Sequence, residues 1–210
     1  MRRLLFLALV LAVGAVAALY LAARPGEAPG RTGPVPGRIA SAVFAGGCFW
    51  CTESDFDHIP GVISTTSGYA GGHVANPTYE QVSEGDTGHI GAVRVVYDPA
   101  RVSYASLVER FFRTIDPLDA GGSFCDRGHQ YRSLMLLAQA GEPHIAEAAT
   151  AQASRQLGRT VATLILPARD FYPAEDYHQD YYRKNPYRYR FYRWNCGRDA
   201  RIEELWGSSH

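Results

Sequence analysis

The chain is poor in lysine, poor in cysteine and without excess charge of either sign. Its 21 basic and 21 acidic residues give a formal net charge of zero, so no global field draws it to nucleic acid or to an anionic membrane. Lys184 is its single lysine, and nothing functional follows from that. Four cysteines, Cys48, Cys51, Cys125 and Cys196, are too few to staple a domain of this length, which favours redox, metal-binding or catalytic use. A second short-spaced Cys/His pair is missing, so Cys48 and Cys51 are at most half of a zinc site. There is no internal repeat.

Charge is also absent from one long stretch. Met1-Arg2-Arg3 leads into an apolar run over 4–23, which Arg24-Pro25 ends. A basic lead and an apolar core make an export signal, and the run is long enough to span a bilayer as a helix. The leading arginines keep the N-terminus cytoplasmic. Ala15-Val16-Ala17 offers a cleavage site but lies inside the run, so 1–24 reads as a membrane anchor or as a signal peptide. Residues 25–40, rich in Gly and Pro, read as a flexible linker. The domain at 41–206 would then be periplasmic or otherwise extracytoplasmic, where exposed thiols oxidise.

Within the domain, strands alternate with helices. Patterning predicts strands over 41–45, 62–69, 92–97, 132–139 and 161–166. It predicts helices over 49–58, 77–83, 103–115 and 142–157, with Ser103 as an N-cap. A Gly/Asp loop follows over 116–128. Residues 171–182 read as partly helical, and a long irregular aromatic tail ends the chain. The alternation argues for an α/β or α+β two-layer sandwich.

Chemistry concentrates in Ala45-Gly46-Gly47-Cys48-Phe49-Trp50-Cys51-Thr52-Glu53. A strand runs into two glycines, and a cysteine then stands at the start of a helix. Free backbone N–H groups and the helix dipole favour an anion there, which predicts a lowered thiol pKa at Cys48 and a nucleophilic thiolate. The Cys48-x-x-Cys51 spacing alone leaves open a buried structural pair, half of a metal site and a thioredoxin-like redox pair.

Gly46-Gly47-Cys48-Phe49-Trp50 resembles the active-site signature of the peptide-methionine (S)-S-oxide reductases, the methionine sulfoxide reductase A family. The resemblance continues in order through Gly68-Tyr69-Ala70-Gly71-Gly72, Asn76-Pro77-Thr78-Tyr79, Thr87-Gly88-His89, Tyr97-Asp98-Pro99, Asp126-Arg127-Gly128-His129-Gln130-Tyr131-Arg132-Ser133 and Phe171-Tyr172-Pro173-Ala174-Glu175-Asp176-Tyr177-His178-Gln179. It implies a mixed sheet of ferredoxin-like character. It implies that Cys48 attacks the sulfoxide sulfur, giving methionine and a cysteine sulfenic acid, which a second thiol converts to a disulfide. Phe49 and Trp50 would hold the S-methyl group. Tyr79 and Tyr131 would hydrogen-bond the sulfoxide oxygen, with Asp126 on the same polar wall. Cys196 is favoured as the resolving thiol, with Cys51 and then Cys125 behind it. The substrate would be free or protein-bound methionine S-sulfoxide and the electron donor a thioredoxin-like protein. No metal and no bound organic cofactor are implied, and the protein would act as a monomer.

One position departs from the family pattern. After Thr-Gly-His the family carries an apolar residue and then a glutamate that protonates the leaving oxygen; here Ile90 is followed by Gly91. General acid catalysis contributes roughly 10²–10⁴-fold, so a slower reductase is expected. A sulfoxide-binding homologue and a thiol–disulfide oxidoreductase using Cys48 and Cys51 are the alternatives. The Arg/aromatic alternation over 181–201 could stack nucleic acid, but the export signal argues against that partner.

Overall fold

The computed structural model describes residues 39–207; the apolar run and most of the linker lie outside them. Among the described residues no helix is long and apolar enough to cross a membrane. Eight strands are present: β1 Ala40–Gly46, β2 Val62–Ala70, β3 Ile90–Tyr97, β4 Gly122–Ser123, β5 Asp126–Arg127, β6 Ser133–Leu137, β7 Leu164–Pro167 and β8 Phe171–Pro173. Seven α-helices accompany them: α1 Phe49–Asp57, α2 Tyr79–Glu84, α3 Tyr104–Phe112, α4 Glu142–Leu157, α5 Tyr181–Lys184, α6 Pro186–Asn195 and α7 Arg198–Trp206.

Six strands form one mixed sheet in the order β7-β6-β1-β3-β2-β8. Only the β6–β7 pair is parallel within it. Helices cover it, as the predicted α/β sandwich requires. Phe44 from β1 meets Phe56 from α1 at 4.8 Å and Phe111 from α3 at 5.2 Å between ring centroids. The spacing of Leu107, Val108, Phe111 and Phe112 puts all four on the buried face of α3, and Ser103 caps it by accepting from Ser106 N at 3.1 Å. A second apolar cluster gathers Ala45, Ala70, Ile90, Ala92, Leu134 and Leu136.

Two expectations are corrected. Residues 171–182 are not partly helical from their start: Phe171–Pro173 is a strand on the β2 edge. The exposed edge needs partners, and Gln179 continues the pairing, its side chain accepting from Ser67 N and donating to Ser67 O, each at 2.9 Å. Helix begins only at Tyr181. The aromatic tail is not irregular either. It forms α6 and α7, the first starting on Pro186, where proline's missing N–H is harmless. Aromatics on every side of α6 hide its helical period. Contacts to distant residues hold it instead, with Arg193 of α6 donating to Asp55 of α1 at 2.7 Å.

Candidate active site

The β1–α1 junction is a tight corner. Gly47 has φ +91°, and a Cβ there would lie 2.5 Å from Ser123 Cβ, so only glycine fits the turn and the close approach. The carbonyl of Gly46 accepts from Ser123 Oγ at 3.4 Å and from Arg198 Nη1 at 3.2 Å. Arg198 is fully buried. Its other nitrogen donates to Thr114 O at 2.6 Å, and its guanidinium stacks 4.6 Å from the Phe124 ring. The corner is clamped from the far end of the chain.

Cys48 stands as the N-cap of α1, its carbonyl accepting from Cys51 N and Thr52 N at 3.1 and 3.2 Å. Both thiols are free and buried. Burial dominates at Cys48: it pushes the thiol well up, a hydrogen bond to Cys51 adds to this, and a hydrogen bond from Tyr192 works against it. The lowered pKa expected there belongs instead to Cys51. That sulfur accepts a hydrogen bond from Cys48, which outweighs its burial, and Arg198 and Arg193 favour its thiolate. Of the two, Cys51 is the more readily ionised.

Cys48 opens into a cavity of about 250 Å³ that Phe49, Trp50, Tyr79, Tyr131 and Asp126 also line. The structure thus brings together the predicted nucleophile, aromatic wall and polar wall, while the candidate resolving cysteines Cys51, Cys125 and Cys196 do not line the cavity. The larger groove of about 400 Å³ between α3 and α4 holds no cysteine. Trp50 stacks on Tyr181 at 3.7 Å with the rings 7° from parallel, and its indole N–H donates to His178 Nδ1 at 3.0 Å. Phe49 meets the His178 ring edge-on at 4.9 Å. Burial lowers the His178 pKa, which suits a neutral ring accepting from tryptophan.

The polar side of the cavity is built by α2, β5 and the segment before β6. A capping box between Thr78 and Gln81 starts α2, and the backbone N–H of Tyr79 donates to Glu175 at 2.9 Å. Glu175 also accepts from the Tyr69 hydroxyl at 2.8 Å. Tyr79 and Tyr131 hydrogen-bond each other, and burial above all raises the Tyr131 pKa. Burial also raises the Asp126 carboxyl, while a hydrogen bond from Tyr192 and the charge of Arg198 oppose it. Gly91 lines the same cavity. A Cβ there would meet Phe49 Cδ2 and Gln130 O at 3.6 Å, ordinary contact, so a side chain fits.

Cys196 does not line the cavity but lies beside its Asp126 wall, joined to Cys125 in a disulfide spanning 71 residues. Sequence reasoning missed Tyr192, Arg198, Glu175 and His178 as site residues. The last two sit in the matched Phe171–Gln179 segment, so a signal for them existed; Tyr192 and Arg198 had none beyond a basic, aromatic tail.

This geometry coincides with what related proteins share. The family model described as peptide methionine sulfoxide reductase matches residues 40–210. A peptide methionine sulfoxide reductase of Caulobacter vibrioides is 47% identical over 190 residues, 90% of this chain and 95% of that one. One from Rhizobium meliloti is 52% identical over 176 residues, 82% and 88% of the two chains. Mxr1 from Saccharomyces cerevisiae in reduced form superposes with a TM-score of 0.69 at 30% identity, covering 73% of this chain and 90% of that one. The same yeast protein in complex with Trx2 shares the fold at 21% identity and a TM-score of 0.50, over 72% and 91%. With its cysteine corner, aromatic wall and tyrosine pair in one cavity, the chain belongs to the peptide methionine sulfoxide reductase family.

Proposed function

We propose that the protein reduces the S epimer of methionine sulfoxide, free or in oxidised proteins. The observation that carries this is the shared cavity, with the Cys48 sulfur between the Phe49–Trp50 wall and the Tyr79–Tyr131 pair. The apolar wall receives the S-methyl group and the phenols donate to the sulfoxide oxygen. Cys48 attacks the sulfur, methionine leaves, and Cys48 is left as a sulfenic acid. Cys51 is hydrogen-bonded to Cys48 and is the more acidic of the two, so it closes the first disulfide and releases water. Cys196, the partner favoured from sequence, is already bonded to Cys125 and takes no part in this closure. A thioredoxin-like dithiol protein then restores the enzyme; the yeast relative's complex with Trx2 supports that class of donor.

The site of action proposed is outside the cytoplasm, supported by the basic lead and the apolar run over 4–23. A reporter fused after residue 40 and active only when exported tests this; an active cytoplasmic-only reporter overturns it.

The deciding experiment is single-turnover reduction of a methyl S-sulfoxide by the reduced full chain, beside Cys48→Ser and Gly91→Glu. One equivalent of methionine from the wild type and none from Cys48→Ser is the expected result. No product from the wild type, with product from Gly91→Glu, would favour the sulfoxide-binding reading that the glycine motivates. Reduction of insulin disulfides without any sulfoxide turnover would favour a thiol–disulfide oxidoreductase.

A further inference from the structure

Sulfoxide reduction by a thiol needs a proton on the departing oxygen, and the cavity holds a single carboxyl group, Asp126. Tyr192 of α6 sits between that carboxyl and the nucleophile. Its hydroxyl donates to Asp126 Oδ2, and the residue packs beside Cys48 in the same cavity. The ring is held edge-on against Trp50 at 5.9 Å. Both ends of the contact are tied together: Cys125 directly precedes Asp126, Cys196 lies one helical turn beyond Tyr192 with its N–H donating to Tyr192 O at 2.9 Å, and the two cysteines are bonded.

We propose that Tyr192 is a catalytic residue, a hydroxyl bridge that carries the Cys48 thiol proton to Asp126, from which it passes to the sulfoxide oxygen. The inference rests on the sulfoxide-reductase reading of this cavity. The step balances without an added acid. The Cys48 S–H bond breaks and an S–O bond forms on Cys48, while the substrate S–O bond breaks. The substrate sulfur gains two electrons, Cys48 loses two, and the thiol proton ends on the sulfenic oxygen. A neutral thiol at Cys48 is the state such a bridge requires, and burial supplies it; its proton, directed to Cys51 at rest, turns to the Tyr192 oxygen for the transfer. The groups facing the pair are few: Cys51 on the Cys48 side, Tyr131, whose pKa both Asp126 and Cys48 raise, and Arg198 on the Asp126 side.

The test pairs two measurements on the full chain with the Cys125–Cys196 disulfide intact. The first is the pH midpoint for iodoacetamide alkylation of Cys48, located by mass spectrometry. The second is the single-turnover yield of methionine. Tyr192→Phe loses the hydrogen bond that favours the thiolate, so its midpoint rises by about one unit. Asp126→Asn loses a negative charge near the sulfur, so its midpoint falls. Both slow turnover by roughly 10²-fold, and adding Gly91→Glu to Asp126→Asn restores the rate. Damage to the fold would not move the two midpoints in opposite directions while slowing both. Turnover by Tyr192→Phe within about twofold of wild type, or midpoints moving the same way, overturns the bridge. Opposite midpoint shifts with no methionine from the wild type would overturn the sulfoxide reading and leave the bridge to Cys48 standing.

Discussion

At residue 91 the missing side chain has measurable weight. Space for a Cβ exists and nothing there is closer than 3.6 Å, so Gly91→Glu is expected to fold with a melting temperature within about 4 °C of wild type. It should raise the single-turnover rate by roughly 10–10²-fold, below the full value of a general acid, because Asp126 already supplies a proton. Gly47 is the opposite case. Gly47→Ala places a methyl against Ser123 at a backbone angle that disfavours it, and urea unfolding should show a loss of about 2 kcal/mol or more. The departure at Gly91 was legible in the sequence, since the flanking Thr87-Gly88-His89 fixed the register. The ordering of the two thiol pKa values was not. Helix-start reasoning favoured a lowered Cys48, but Cys51 is lowered by its hydrogen bond from Cys48 and then by Arg198 and Arg193, more than 140 positions later in the chain, and Cys48 is raised by burial.

At the scale of elements, α1 is fixed by groups that a helix ordinarily shows to solvent. Glu53 is buried within it and accepts from Asp180 N at 3.0 Å; burial raises its pKa from 4.5 to about 7. A carboxyl raised on folding contributes stability that is full below its unfolded pKa and is lost as pH climbs through the folded value. Stability should therefore fall by about 3 kcal/mol between pH 4.5 and 7.5 from this group alone. Glu53→Gln, which keeps the acceptor, should flatten that part of the profile in chemical denaturation. An unchanged slope in the variant would show that another group titrates. Periodicity revealed α3, whose buried residues make one apolar face, while Pro60-Gly61 and a starting proline marked α1 and α4. It missed α6, where Tyr189 is buried while Tyr187, Phe191 and Trp194 face solvent; tertiary ion pairs, not an apolar stripe, decide that helix. It misread β8 because three residues ending in Pro173 carry no alternation to detect.

Across the whole molecule, two long-range links close the fold. The Cys125–Cys196 bond spans 71 residues, and a loop of that size constrains the unfolded chain by about 4 kcal/mol. Cys125→Ser should lower stability by roughly 2–4 kcal/mol, and the wild type should lose a similar amount in strong reductant; equal unfolding curves with and without reductant would remove the disulfide from the stability of the fold. Arg198 is the second link. Replacing it with Ala removes its hydrogen bonds to the Gly46 and Thr114 carbonyls and its ion pair with Asp55, at a cost of about 3–5 kcal/mol, and should also raise the alkylation midpoint of Cys51. From four cysteines the pairing could not be read, since it depends on which loop the tail returns to. The clamp on Gly46 has a consequence in time. The nucleophile is made before Tyr192, Arg193 and Arg198, which follow it by more than 140 positions. A chain interrupted before α6 can pair β1, β2 and β3, yet its Cys51 has no arginine and its Cys48 no hydroxyl. Chemical competence thus arrives only after α6 and the start of α7 have been made.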